Sequence, residues 1–163
     1  VKPCANRMLL LILIAAAPCV PACAQKTAPL DAQGLIADID AKGAKTVVAN
    51  LERTKGWDAV FHRIQTGAPA WLDVAKKLRP GTDAGSTEGL DISLAIALTH
   101  NATGVLSMVG PDLDIKTVCS VPYIEPDEKT VRAHRMKVRA ALSKVASPKL
   151  AALKKDCLDT NNK

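Results

Sequence analysis

The sequence predicts an all-α fold of stacked helical hairpins, either HEAT-like or an irregular bundle, closed by a disulfide-tied pair of C-terminal helices. Three observations predict it. Apolar residues recur three and four positions apart in short segments, which is helical rather than strand spacing. Gly43, Gly67 and Asn101 each follow an apolar helix end, and each stands four and five residues before an apolar pair: Val47-Val48, Trp71-Leu72 and Val105-Leu106. Residues that tolerate left-handed backbone are favoured where one helix turns tightly into the next. Finally, Cys119 precedes the last two predicted helices and Cys157 lies on the second of them. The unequal spacing of the three turn residues leaves both the solenoid and the irregular bundle open.

Taken in order, Asp31 caps a first helix whose apolar positions are Leu35, Ile36 and Ile39, and Lys42-Gly43 interrupts it. Val47, Val48 and Leu51 form the inner stripe of a second helix that ends at Lys55-Gly56. Trp57, Val60, Phe61 and Ile64 mark a third, stopped by Gly67. The fourth starts with Pro69 in its first turn and carries Trp71, Leu72, Val74, Ala75 and Leu78. Pro80 to Gly85 reads as the clearest loop, after which Ser86 is expected to cap a fifth helix through Leu90, Leu94, Ile96, Ala97 and Leu98. Val105, Leu106, Met108 and Val109 make a short sixth helix closed by Gly110-Pro111.

The tail is organised differently. Val118 to Ile124 is β-prone but broken by Pro122, so an extended connector carrying Cys119 is expected. Pro126-Asp127-Glu128 opens a long helix with an acidic first turn. Val131, Val138, Leu142 and Val145 give its inward face, and Arg132, Arg135 and Arg139 an outward stripe. Ser147-Pro148 restarts the chain as a final helix, whose Leu150, Leu153 and Cys157 share one face.

The first 24 residues read as a bacterial export signal. Lys2 and Arg7 precede the apolar run Met8 to Ala17, and Ala22-Cys23-Ala24 leads into polar Gln25. The run is too short to span a bilayer, which needs about twenty residues. Cleavage before Gln25 gives a periplasmic or secreted product, residues 25–163, of one helical domain. Val20-Pro21-Ala22-Cys23 partly resembles a lipobox, and the alternative is therefore a lipoprotein anchored to the membrane through Cys23. Export leaves Cys119 and Cys157 as two mature cysteines in an oxidising compartment, where an intramolecular disulfide is expected.

The full chain carries a net charge of +6, which falls to about +4 once Lys2 and Arg7 are removed. Its distribution is uneven. Lys129 to Lys163 holds ten Lys or Arg against Asp156 and Asp159, whereas Leu30 to Glu128 holds 14 acidic and nine basic residues. A basic end implies an acidic protein partner or an anionic envelope surface. Nucleic acid is not expected, because the chain is exported and the tail lacks aromatic platforms for bases.

No segment encodes a recognisable chemistry, so no catalytic residue, cofactor or metal is expected. His62, His100 and His134 lie on separate helices without ligand spacing, as surface or capping residues do. Ser86, Ser93, Ser107 and Ser120 lack a nucleophile elbow, and Pro80 to Gly85 lacks phosphate-loop spacing. Asp83, Glu88 and Asp91 read as capping and solubilising carboxylates. Trp57, Phe61 and Trp71 read as the core of one hairpin. Tyr123, in the irregular connector beside Cys119, is the aromatic best placed for a surface contact, with packing over the disulfide as its alternative.

Cys119-x-x-Pro122, a long helix, Pro148, a final helix and Cys157 form a tail layout of about forty residues. This layout resembles the disulfide-tied tail of small helical periplasmic immunity proteins that neutralise type VI secretion amidases. The resemblance implies a protein inhibitor without catalysis. The expected function is thus an exported protein-interaction module that binds a periplasmic protein, with Arg132, Arg135, Arg139 and Tyr123 as candidate contact residues. The alternative is a structural envelope protein docking through its basic C-terminal helices.

Overall fold

A computed structural model describes residues 30–162. The expected signal segment 1–24, Cys23 and the expected cleavage point before Gln25 lie outside the described residues. Among these residues the fold is all-α, with nine helices and no strand. They are α1 (Ala32–Lys42), α2 (Ala44–Thr54), α3 (Trp57–Gln65), α4 (Pro69–Leu78), α5 (Ala84–Leu98), α6 (Ala102–Leu106), α7 (Ile115–Cys119), α8 (Glu128–Ser143) and α9 (Ala151–Asn161). Single 3₁₀ turns at Arg79–Gly81 and Pro148–Leu150 precede α5 and α9.

The helices start and stop for identifiable reasons. The Asp31, Asp83, Asn101, Asp114 and Asp127 side chains each accept a backbone N–H in the first turn of the helix that follows, satisfying donors that the helix itself cannot. At the opposite ends, Gly43 and Lys55 take positive φ values of 81° and 55° where α1 and α2 stop. The left-handed residue closing α2 is therefore Lys55, and Gly56 after it is right-handed.

The hairpins stack, but not in one register. α1 packs on α2, α3 on α4, and α5 on α6. Between the second and third pairs, like helices meet: α3 lies on α5 and α4 on α6. Between the first and second pairs the packing is crossed, with α1 lying on α4. A solenoid needs the same step at each junction, so this stack is an irregular one. The helix α5 is central, since α3, α6 and α7 surround it. Leu90, Leu94, Ala95, Ala97 and Leu98 are accordingly buried on more than one face. A single contiguous core joins Leu90, Leu94, Ala97 and Leu98 to Val60, Ile64, Val74 and Leu78 of the earlier hairpins and to Val118, Val138 and Leu142 of the tail.

Two turns are locked together. Gly67 has φ of +70°, as its place in the repeat predicts. Asn101 does not take the left-handed conformation; its φ is −143° and it caps α6, accepting from Gly104 N at 2.9 Å. Its other amide atom, Nδ2, donates to the Gly67 carbonyl at 2.8 Å. One side chain thus starts a helix and staples the α3–α4 turn to the α5–α6 turn. The repeat is real at these positions, but the asparagine serves it by hydrogen bonding rather than by backbone freedom.

Three expectations are corrected here. Pro80 to Gly85 is not a free loop: Pro80-Gly81 lies in a 3₁₀ turn, and α5 already begins at Ala84. Its cap is Asp83, and Ser86 is the reciprocal member of the capping box, its hydroxyl accepting from Asp83 N. Cys119 does not sit in an extended connector but ends α7, because Asp114 nucleates a helical turn that buries Val118 and Cys119. Irregular chain begins only at Ser120.

The expected disulfide forms between Cys119 and Cys157, with Cα atoms 5.3 Å apart and both side chains fully buried. It joins α7 to α9 across 38 residues of sequence. Closing such a loop contributes about 3 to 4 kcal/mol in the chain-entropy model. Replacing both cysteines by serine is expected to lower the melting temperature by about 10 °C in thermal unfolding followed by circular dichroism; an unchanged melting temperature would contradict that stabilising role.

The 3₁₀ turn presses backbone against backbone. A Cβ on Gly81 would lie 2.5 Å from the Ala44 carbonyl carbon and 2.6 Å from Lys45 N, at the start of α2. Gly81→Ala is expected to cost about 1 to 3 kcal/mol in urea unfolding, as overpacking does. Gly85→Ala, whose nearest neighbour would be the Asp83 carboxylate at 3.8 Å in the first turn of α5, is expected to be neutral or slightly stabilising.

Candidate functional site

The basic tail is built on α8, which turns about 100° per residue. His134, Val138, Ala141 and Leu142 are its buried residues, followed after the helix by Val145. The opposite side is fixed by that arc. Met136 points most nearly away from the core and is 68% exposed. Arg132 and Arg139, four residues before it and three after, flank it as exposed side chains. Arg132 donates to Glu128 Oε2 at 2.8 Å, and Arg139 donates to Asn162 Oδ1. The Arg132–Glu128 pair is solvent-exposed on both sides, and such pairs contribute little.

Arg135 is not on the outward stripe. It stands nearer the buried arc, its side chain is half-buried, and its Nε is covered and lacks a hydrogen-bond partner among the described residues. Its backbone carbonyl accepts from Asn161 Nδ2 of α9 at 3.1 Å. The sequence-predicted triad therefore divides: two arginines face outward around Met136, and the third lies at the seam with α9. Met136 was missed because methionine reads as an interior residue, although its helical position gave its direction.

Tyr123 stands on the connector as expected, 41% exposed. Its ring meets that of His134 edge-on, with centroids 5.6 Å apart. Ile124 beside it is 88% exposed, and Glu125 adopts φ of +45°, which is uncommon for a residue with a side chain. The segment is held at one end by the disulfide-bonded Cys119 and at the other by Asp127, the cap of α8, whose carboxylate accepts from Thr130 N at 2.6 Å. The Thr130 hydrogen bonds hold the Asp127 carboxyl below its ordinary pKa.

His134 is neither a surface nor a capping residue, which corrects the expectation for it. It is 3% exposed, and its Nε2 finds no partner among the described residues. His62 and His100 are exposed. Among the described residues no group of three or more His, Cys, Asp or Glu side chains is placed to hold a metal. Asp91 instead pairs with Arg79, whose Nη1 also reaches the Asp112 carbonyl at 3.0 Å, and Asp83 is held below its ordinary pKa by the Ser86 side chain and backbone. Trp57 and Phe61 are half-buried and stack with ring centroids 4.9 Å apart, whereas Trp71 is buried. The hairpin aromatics are thus core only in part.

Two clefts open near these groups. One, of about 560 Å³, runs beside Arg79 and is lined by Pro80, Thr82, Thr87, Met108 and Val109 among others. The other, of about 370 Å³, lies where α7, α8 and α9 meet, with Lys116, Ser120, Arg135, Thr160 and Asn161 around it. No helix of the described residues is long and apolar enough to cross a membrane. Comparison with protein-family models, curated proteins and solved structures finds no match to this chain.

Burial, and secondarily the charge of Lys137, holds the His134 pKa below its ordinary 6.5. As pH falls below about 6.5, the unfolded chain takes up a proton at this residue that the folded chain resists. Stability is therefore level above that pH with respect to His134 and declines beneath it. His134→Gln is expected to flatten the decline in urea midpoint between about pH 7 and pH 5, while the wild-type midpoint falls. Equal slopes for the two proteins would show that burial of His134 does not govern this window.

Proposed function

We propose that this chain is an exported, non-catalytic protein-binding module, of the inhibitor or immunity type, which meets an acidic partner protein through the outer face of α8 and the Tyr123–Glu125 connector that leads into that helix. The observation that carries this reading is Met136, 68% exposed between the exposed Arg132 and Arg139. A large thioether held in water gains by being covered, and methionine and arginine are enriched where proteins meet. Two guanidinium groups beside it select a partner whose surface is acidic around an apolar spot. Tyr123 and Ile124 add apolar contact area on a connector anchored at both ends, so less conformational freedom is lost on binding. The acidic N-terminal half and basic tail identified in the sequence orient such an encounter.

A photo-reactive residue at Met136, introduced into the exported protein in bacterial cells, tests the reading. One heterologous protein is expected in the covalent product. Arg132→Glu with Arg139→Glu should abolish the product and leave helical content unchanged. With that partner purified, the double variant should associate more slowly, and the difference should shrink as salt rises. Adducts with phospholipid or wall fragments alone would instead favour docking on an anionic envelope surface, and self-adducts alone would overturn the module as proposed.

A further inference from the structure

The cleft between α7, α8 and α9 is one charge short. Lys116 and Arg135 line it, neither has a salt-bridge partner among the described residues, and of the two Arg135 is the one partly withdrawn from water. No Asp or Glu borders the cleft. Arg135 is half-buried with its Nε covered and unpartnered. A cation partly withdrawn from water without a counter-charge is costly, and an incoming carboxylate relieves that cost.

The remaining lining groups narrow the ligand. The Ser120 hydroxyl donates to the Lys116 carbonyl at 2.7 Å and the Thr160 hydroxyl to the Asp156 carbonyl at 2.9 Å. With their hydrogens committed to the backbone, both oxygens are left as acceptors. The cleft thus brings two cationic residues together with two hydroxyl acceptors and with Asn161, whose buried Oδ1 has no partner among the described residues. A phosphate brings mainly acceptors and leaves the hydroxyl oxygens facing like groups. An acidic residue within a peptide brings both a carboxylate and amide N–H groups, and about 370 Å³ accommodates one such side chain with its flanking backbone.

We propose that this cleft is a receptor for one acidic peptide residue, whose carboxylate lies between Lys116 and Arg135 and whose backbone N–H groups face the Ser120 and Thr160 oxygens. The proposal rests on the reading that the basic end meets an acidic protein, and it places one partner side chain in a socket beside the α8 face. The disulfide from Cys119 to Cys157 and the hydrogen bond from Asn161 to the Arg135 carbonyl hold the three walls in register before the ligand arrives.

The test is an amide-resolved NMR titration of the exported protein with N-acetyl-L-glutamate α-amide, against N-acetyl-L-glutaminamide and inorganic phosphate. Saturable shifts confined to residues around Lys116, Ser120, Arg135 and Asn161 are expected, with a Kd of about 1 mM, typical of so small a ligand. The glutamine analogue should not saturate, and phosphate should bind more weakly. Lys116→Gln alters an exposed side chain and should weaken binding about tenfold without affecting the fold; Lys149→Gln, outside the cleft, should leave it unchanged. Arg135→Lys should retain part of the affinity, and Arg135→Gln should lose it. Equal response to the glutamine analogue, tighter binding of phosphate, or shifts scattered over all surface lysines would overturn the proposal. If the glutamate ligand binds as described while Met136 captures no protein, the module reading fails and the socket stands. Capture at Met136 without glutamate binding has the reverse meaning.

Discussion

The tail depends on the bond between Cys119 and Cys157. The helix α7 is five residues long and cannot persist on its own hydrogen bonds, because so short a helix costs more to nucleate than it returns. Burial of Val118 against α5 and the covalent link to α9 hold it in place. With α7 and α9 fixed to each other, α8 packs on α9 and reaches back to α6, with Val138 and Leu142 buried, and the chain between α7 and α8 becomes a short bridge between two anchored points. The exposed tip at Tyr123 and Ile124, the seam that holds Arg135 and the neighbouring cleft all follow from that closure.

The hairpin half uses different means for the same end. It has no covalent tie among the described residues, and its order comes from shape and a few long-range polar contacts. Arg79 reaches both Asp91 in α5 and the Asp112 carbonyl in the turn beyond α6, while Asn101 joins two turns 34 residues apart. The Arg79–Asp91 and Asn101–Gly67 contacts are partly buried, and in the first of them, between charged groups, a hydrogen bond contributes more than at the surface. The result is a packed base on which the tail closes.

The hairpin half was legible because its signals are redundant. Val47, Val48 and Leu51, Val60 and Ile64, and Leu90, Leu94 and Leu98 each combine helical spacing with a nearby turn residue, and all are buried. The tail was less legible where local preference and tertiary packing disagreed. The β-branched run near Val118 argues for extended chain, yet burial of Val118 and Cys119 beneath a cap at Asp114 outweighs that weak preference. Arg135 shows a finer limit. Charge type placed it with Arg132 and Arg139, but its angular position on α8 lies nearer the buried arc, and long side chains accept such flank positions by burying their stems. Lys116 carried no signal at all, because its significance comes from sharing a cleft with Arg135, Thr160 and Asn161, the first of them nineteen positions further along the chain.

The meeting of Gly81 with the start of α2 changes how the chain's most loop-like stretch is to be regarded. Proline, two glycines and short polar residues usually advertise a place where chain length can vary and where a tag or graft can be inserted. Here that stretch is a wedge set between two helical pairs, in contact with the main chain of one and continuous with the central helix of the other. A residue inserted beside Gly81 would press on the main chain at Ala44 and Lys45 and disturb the path by which the chain enters α5.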